Sequence, residues 1–147
     1  MTHNALVEIL TAFLGSLGFA ILFNVRGVRL VIAALGGLIS WALFLALNCI
    51  NTNDAVNYFL VALAVSLYAE IMARVFKTPT TTFITTSLIP LIPGSSLYYT
   101  MAFAFSSDLE RFFEKAIYTL QLASALALGI IIATTVVRII TNLKVKP

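Results

Sequence analysis

Charged side chains are scarce in this chain. Only 10% of its 147 residues are Asp, Glu, Lys or Arg, whereas 61% are hydrophobic. Soluble domains average about 25% charged residues, so this sequence has too few polar groups to cover a soluble globule. Together with a mean hydropathy of +1.02, the low charge places the chain among integral membrane proteins.

Cysteine and histidine are almost absent. Cys49 is the only cysteine, so no intrachain disulfide can form, and a packing role is the simplest interpretation. His3 is the only histidine, which excludes a bis-histidine haem and a histidine-rich metal site. The sequence also lacks a nucleophile elbow, a P-loop and a long basic run. We therefore predict no enzymatic activity, no metal or cofactor, and no nucleic-acid partner.

Long apolar runs predict the fold. A transmembrane helix needs about 20 mainly apolar residues. Segments that approach this length cover residues 5–23, 30–50, 55–73, 80–105 and 116–137. The first of them follows no basic n-region and precedes no clear cleavage site, so we expect it to remain as a permanent span. The prediction is an all-α membrane protein of about five transmembrane helices, forming a single integral membrane domain over residues 1–147.

The basic residues predict the orientation of these spans. Seven of the nine Lys and Arg residues follow the first, third and fifth segments. Cytoplasmic loops carry an excess of Lys and Arg, so we expect the N-terminus outside and the C-terminus in the cytoplasm. A re-entrant loop at the fourth segment would place the basic tail outside, and the charge pattern therefore favours a true crossing there.

The fourth segment is interrupted by the stretch "IPLIPGSSLYY", residues 89–99. Pro90 and Pro93 lack backbone N–H groups, which is expected to leave the carbonyls of Thr86 and Ile89 without helical donors. Unsatisfied backbone groups are costly in lipid. Irregular backbone at membrane depth is therefore expected only inside protein or beside a water-filled cavity.

The chain can begin a new helix after this interruption. Past Gly94, either Ser95 or Ser96 is expected to cap it, with the N–H groups of the first turn pointing to the membrane midplane. Such a helix start carries partial positive charge and suits a carboxylate, and transporters use discontinuous helices in this way. We favour a substrate site here, extending to Tyr98. The alternative is a proline kink absorbed by neighbouring helices.

A threonine-rich run, "TPTTTFITTS" at residues 78–87, precedes the interruption. Its hydroxyls can line a polar path, or they can bond back to carbonyls of their own helix. The sequence leaves both interpretations open. The nearness of Pro90 favours a path on its cytoplasmic side, with Thr85 and Thr86 as further substrate-binding candidates.

Glu8 and Glu70 are the only acids inside the predicted spans. An intramembrane carboxylate is by default a candidate proton carrier or ion ligand, so both are proton-coupling candidates. Glu8 can instead extend to the outer interface, and Glu70 can form an ordinary ion pair with Arg74 four residues later. Trp41 lies in the middle of a span, and its N–H is therefore expected to have a hydrogen-bond partner.

The region before the fifth span predicts an early helix start. Ser107 and Glu110 have the spacing of a capping box, and the helix is expected to continue from there into the fifth span. Tyr58 and Tyr118 lie near the outer ends of their spans, where simple anchoring at the membrane interface is the expected role.

Small residues recur every four positions in three segments, a pattern that allows close helix contact. The rows are Ala12–Ser16–Ala20, Ala33–Gly37 and Ala125–Gly129–Ala133. They indicate packing, within the chain or between copies of it, and carry no information about chemistry.

The stretch "KTPTTTFITTSLIPLIPGSSLYY" resembles the threonine/serine exporter family, specifically the small subunit that corresponds to the exporter's C-terminal membrane domain. "GSLGFAILFNVRG" at residues 15–27 and the length of about five spans support the resemblance. It implies a secondary exporter of small carboxylate metabolites in the bacterial inner membrane, with a separately encoded larger membrane subunit as partner. Threonine and serine are the substrates it names, and split versions are associated with succinate. Pro90, Pro93 and Gly94 would form the break, with Ser95 and Ser96 facing the substrate.

The leading hypothesis is therefore a subunit of a proton-linked exporter of a small amino or dicarboxylic acid. A passive channel lined by the threonine run is the first alternative, and it predicts flux that neither saturates nor depends on a proton gradient. A non-transporting assembly subunit is the second. It would act through its small-residue rows, with the larger subunit or as a homo-oligomer.

Overall fold

The computed structural model describes residues 2–144, and the side chains of residues 4–141 within them. The side chains of His3 and Lys144, and the whole of Lys146, lie outside that part. The helices are α1 (Thr2–Leu22), α2 (Val28–Asn48), α3 (Asp54–Val75), α4 (Thr80–Leu88), α5 (Gly94–Phe105) and α6 (Leu109–Lys144). A 3₁₀ turn, Ile89–Leu91, joins α4 to α5.

The predicted all-α membrane fold is confirmed. The helices α1, α2, α3 and α6 are each long and apolar enough to cross a membrane, and α4 with α5 makes a fifth candidate span. The two halves of that fifth candidate meet at an angle of 60°. The predicted discontinuity in the fourth segment is therefore present, at the predicted prolines.

Most of the arginines lie at one end of the bundle. Arg29, at the start of α2, donates to the carbonyl of Phe76 after α3 at 3.2 Å. Arg74 of α3 donates to the Thr141 hydroxyl near the end of α6 at 3.1 Å. We call this the basic end, and its arginines are Arg26, Arg29, Arg74 and Arg138.

The other end, called the opposite end below, is where α2 stops and α3 begins. Tyr118 of α6 reaches Asp54 at the first residue of α3. In α5, the Ser96 hydroxyl bonds that of Thr119, the residue after Tyr118. Because α4 begins at the basic end and α5 lies at the opposite end, the chain passes from one end of the bundle to the other through the break.

Two helices begin differently from the prediction. Pro93 occupies the N-cap position of α5 with no side-chain cap, so the predicted cap at Ser95 or Ser96 is wrong, since both lie in the first helical turn. Ser107 has a left-handed backbone (φ 59), whereas an N-cap needs an extended one. Asp108 caps α6 in its place, accepting from the N–H of Arg111 at 3.2 Å.

The rows of small residues are packing surfaces, as predicted. Every member of the three rows is buried. The closest approaches are at Gly37, which lies against Ser16 of α1, and at Gly129, which lies against the backbone and Ala62 of α3. These contacts hold α1 to α2 and α6 to α3.

Candidate functional site

The backbone of the break is partly satisfied by its own turn. The N–H of Ile92 donates to the carbonyl of Ile89 at 3.2 Å, and the N–H of Gly94 donates to the carbonyl of Ile92 at 2.6 Å. The expectation that Ile89 lacks a donor is therefore wrong, because the chain tightens into a 3₁₀ turn there. At Thr86 the carbonyl still faces Pro90, which has no N–H to offer.

A cavity of about 270 Å³ lies between α1, α2 and the break. Glu8, Trp41, Ile89 and Pro90 line it, together with small residues and a threonine of α1. The indole N–H of Trp41 donates to Glu8 Oε2 at 3.1 Å, so the predicted partner of Trp41 exists and is one of the two acids. Among the lining residues, all within the described range, there is no Lys or Arg.

The break lies towards one end of the helix bundle. Trp41 lies in the second half of α2, towards Asn48 at the opposite end. Because Ile89 and Pro90 share a cavity with Trp41, the break lies nearer the opposite end than the basic end. The first half of the segment, α4 with its 3₁₀ turn, is enclosed by α1, α2 and α3, whereas the second half, α5, packs on α6.

The second acid lies in a different cavity. Glu70 lines a space of about 600 Å³ at the basic end, between α3, α4 and α6. Its Oε2 pairs with Arg74 Nη2 at 3.3 Å, so the ion pair that the sequence left open is formed. Arg138 of α6 also lines this cavity. The remaining polar lining residues are Thr80, Thr81, Thr134, Thr135 and Thr141.

Some threonines of the threonine-rich run bond back to their own helix, and others line a cavity. Thr86 is fully buried, and its hydroxyl donates to the carbonyl of Thr82 at 2.9 Å, which is back-bonding within the helix. Thr80 and Thr81 line the cavity at the basic end. Thr85 is exposed and lines a separate small cavity beside the end of α1.

The predicted residues after the break lie apart from both acids. Pro93 is buried, whereas Gly94 and Ser95 are exposed. Ser96 is buried, and its hydroxyl lies 2.5 Å from that of Thr119. Tyr98 is 69% exposed. Of the predicted substrate-binding residues, Pro90 shares a cavity with a proton-coupling candidate, Glu8.

Comparison with known families decides what kind of protein has this arrangement. The model of a family described as Threonine/Serine exporter, ThrE, matches residues 8–136. The chain belongs to the threonine/serine exporter family. The resemblance of the proline-interrupted stretch to this family is thereby confirmed, while its assignment to a separate small subunit stays a prediction. No curated protein and no solved structure matches the chain.

The match to the exporter family includes the break and both acids. It begins at Glu8 and contains Trp41, Glu70 and the whole of α4 and α5. It stops two residues before Arg138. The multi-pass membrane character of the exporter family agrees with the long apolar helices of this chain.

A link at the opposite end was missed from the sequence. The Tyr118 hydroxyl donates to Asp54 Oδ2, across 64 positions in sequence, and both residues line a cavity of about 340 Å³ with Gln121. Simple anchoring of Tyr118 is therefore incomplete as a description. No local sequence pattern could have predicted this pair, because the two residues lie on different helices and 64 positions apart.

Replacing Tyr118 by Phe is expected to lower the free energy of unfolding by about 1.5 kcal/mol, the value of a hydrogen bond to a charged group. The measurement is equilibrium unfolding in mixed detergent micelles. Tyr99→Phe is the matched control, because Tyr99 is 53% exposed on α5 and its hydroxyl reaches no described side chain. Equal losses in the two variants would contradict a stabilising role for the link to Asp54.

Proposed function

We propose that this chain is a subunit of a secondary exporter that moves small carboxylate metabolites, threonine and serine first among them, out of the cell. The observation that carries the proposal is the placement of Glu8 beside the break at Pro90 in a member of an exporter family. The basic end is assigned to the cytoplasm by its arginines. In this proposal the chain is a multi-pass protein of the bacterial inner membrane, the location that the family resemblance implies, with its N-terminus outside.

Glu8 is proposed as the main proton carrier. Its contact is a neutral indole N–H, so a proton can bind or leave without breaking an ion pair. Glu70 is paired with Arg74, so protonating it would leave a cation without its partner. Intramembrane acids commonly mark proton relays, and Glu8 is the one of the two acids that lies at the break.

The start of α5 is proposed as the site for the substrate carboxylate. The N–H groups of Ser95 and Ser96 belong to its first turn, where no intrahelical acceptor exists, and no side chain caps them. Pro90, Pro93 and Gly94 keep this turn separate from α4. Partial positive charge at such a turn favours an anion.

The other predicted residues have supporting roles in this proposal. Thr86 fixes the buried face of α4 through its bond to Thr82, while Thr85 borders the approach from the basic end. The exposed ring of Tyr98 lies on the outer face of α5, which packs on α6 alone among the described helices. That face is proposed to meet the larger membrane subunit, or a second copy of the chain, and so complete the site.

Transport by the reconstituted chain tests the proposal. The chain is placed in proteoliposomes alone and with a larger membrane subunit of the same exporter family, and uptake of labelled threonine and succinate is measured with and without a proton gradient. The exporter predicts saturable, gradient-driven flux. Flux that is linear in concentration and independent of the gradient would instead indicate a channel. Stabilisation by the partner with no flux would indicate an assembly subunit.

Replacing Pro93, Gly94 and Ser95 together by Ala is expected to reduce the initial rate of transport at least about tenfold, a loss of about 1.4 kcal/mol of transition-state stabilisation. The reason is that alanine at these positions allows α5 to begin earlier, next to Pro90, so that the N–H groups of its present first turn find acceptors within the helix. The rate is normalised to the amount of folded protein, judged by circular dichroism. Gly18→Ala is the control, because a Cβ there meets no atom within 4 Å. An unchanged rate in the triple variant would overturn the site assignment.

A further inference from the structure

We infer that the cavity at the basic end is a capture site for a hydroxy amino acid. It binds the substrate on the cytoplasmic side before the substrate reaches the break. The inference rests on the proposed function and adds to it a place of entry and a basis for distinguishing amino acids from dicarboxylic acids. The cavity holds about 600 Å³, enough for a small amino acid with its water.

The cavity at the basic end is lined by two arginines and one glutamate. Glu70 and Arg74 neutralise each other across 3.3 Å, and Arg74 is further engaged by the Thr141 hydroxyl. Arg138 lines the same cavity, and no ion pair or hydrogen bond joins it to another side chain in the described part of the protein. One guanidinium is therefore open to a ligand, and guanidinium binds carboxylate in a planar, two-point fashion.

An amino group would find a second contact across the cavity. Glu70 pairs with Arg74 through Oε2, so Oε1 is the oxygen that a ligand ammonium would meet. The Glu70 side chain is only 13% exposed, and a charge-assisted hydrogen bond is stronger away from bulk water. Arg138 and Glu70 thus offer complementary charges to the two charged groups of a zwitterion.

The remaining lining suits a short side chain with a hydroxyl and a methyl. Thr80 and Thr81 come from α4, and Thr135 comes from α6. Ile84 and Ile130 supply apolar surface between them. A ligand with two carboxylates would bring its second negative charge to Glu70 or to the threonines, so one open cation favours a monocarboxylate.

The position of the cavity fits an entry site. Thr80 and Thr81 lie in the first turn of α4, and the break with Glu8 follows at its far end. The nine residues of α4 are about 13 Å long, which separates capture at Arg138 from proton exchange at Glu8. The two steps therefore use different acids in different cavities.

Equilibrium binding to the intact protein in detergent tests this inference. The probes are L-threonine, 3-hydroxybutyrate, which lacks the amino group, and succinate. Threonine is expected to bind at least about tenfold more tightly than the other two, the value of one good charged contact. Arg138→Gln should weaken all three probes, with Arg138→Lys intermediate. Glu70→Gln should remove the preference for threonine, so that threonine and 3-hydroxybutyrate bind equally to the variant, while 3-hydroxybutyrate binds at least as tightly as before because Arg74 loses its partner.

Arg26→Gln is the matched control, since it removes the same charge from the basic end. The Arg26 side chain lines another cavity and, among the residues that the structure describes, bonds Asn24. Threonine binding that survives Arg138→Gln, or succinate binding that exceeds threonine binding, would overturn the inference.

The triple variant at Pro93, Gly94 and Ser95 should still bind threonine while failing to transport it. If that triple variant loses binding and Arg138→Gln keeps it, the inference fails while the exporter proposal stands. If the protein neither binds nor transports any probe when it is reconstituted with the larger membrane subunit, both fail.

Discussion

Glu8→Gln is expected to abolish gradient-driven accumulation of threonine in proteoliposomes while leaving exchange of labelled for unlabelled threonine in place. Glutamine keeps the size of the side chain and an oxygen that can accept from the Trp41 indole N–H, which lies 3.1 Å from Glu8 Oε2. It cannot carry a proton. A transporter that cannot bind its coupling ion can still exchange one substrate molecule for another, so the two assays separate coupling from substrate binding.

Two further variants make the Glu8 experiment specific. Asp108→Asn removes one carboxylate charge at the start of α6, outside the cavities that contain Glu8 and Glu70. Because Asn is itself a good helix cap, accumulation should match that of the unaltered protein. Trp41→Phe retains the Glu8 carboxylate and removes the donor that orients it, and a partial loss of accumulation is expected. Full accumulation by Glu8→Gln would rule out Glu8 as the carrier. In Glu70→Gln, a loss of accumulation with exchange retained would transfer the role to Glu70, whereas a loss of both would reflect its part in substrate capture.

The location of the break could be predicted from the sequence, because proline has a fixed backbone consequence wherever it occurs. Pro90 and Pro93 lack N–H groups, and a helix cannot continue regularly through both. What the same residues leave undetermined is how the chain leaves the turn. Ile92 satisfies the carbonyl of Ile89, and α5 begins at Gly94 with Pro93 at the N-cap, so the cap falls two positions before Ser95.

Some side-chain contacts could be predicted from the sequence and others could not. The pairing of Glu70 with Arg74 follows from their separation by one helical turn. Trp41 could be expected to need a partner, but its partner is 33 positions away, and only the packing of α1 on α2 decides that it is Glu8. The cavity at the basic end is likewise assembled from α3, α4 and α6, whose order in the sequence does not indicate that they enclose one space.

Gly129→Ala is expected to destabilise the protein by about 1–3 kcal/mol, the usual cost of overpacking a close contact. A Cβ at Gly129 would lie 2.8 Å from the carbonyl oxygen of Phe59 and 2.8 Å from the Cβ of Ala62. Without a strong hydrophobic force between helices in lipid, close packing of this kind is a main source of helix association. The measurement is the free energy of unfolding in mixed micelles.

A second glycine gives the same destabilisation by a different route. A Cβ at Gly37 would overlap Ser16 Oγ and lie 2.5 Å from Ser16 Cβ, with the next atom, the carbonyl oxygen of Ala12, at 3.4 Å. The obstacle at Gly37 is therefore one side chain. At Gly129 it includes the backbone of α3, which no substitution removes.

The two sites should consequently respond differently to a compensating change. Adding Ser16→Gly to Gly37→Ala is expected to restore most of the lost stability, because it clears the clash and removes a buried hydroxyl that has no partner among the described side chains. Adding Ala62→Gly to Gly129→Ala should restore little, since the Phe59 carbonyl remains in place. Gly18→Ala, with no atom within 4 Å, controls for the intrinsic helix preference of alanine. Equal rescue at both sites would show that the backbone approach of α6 to α3 is not what limits the size of residue 129.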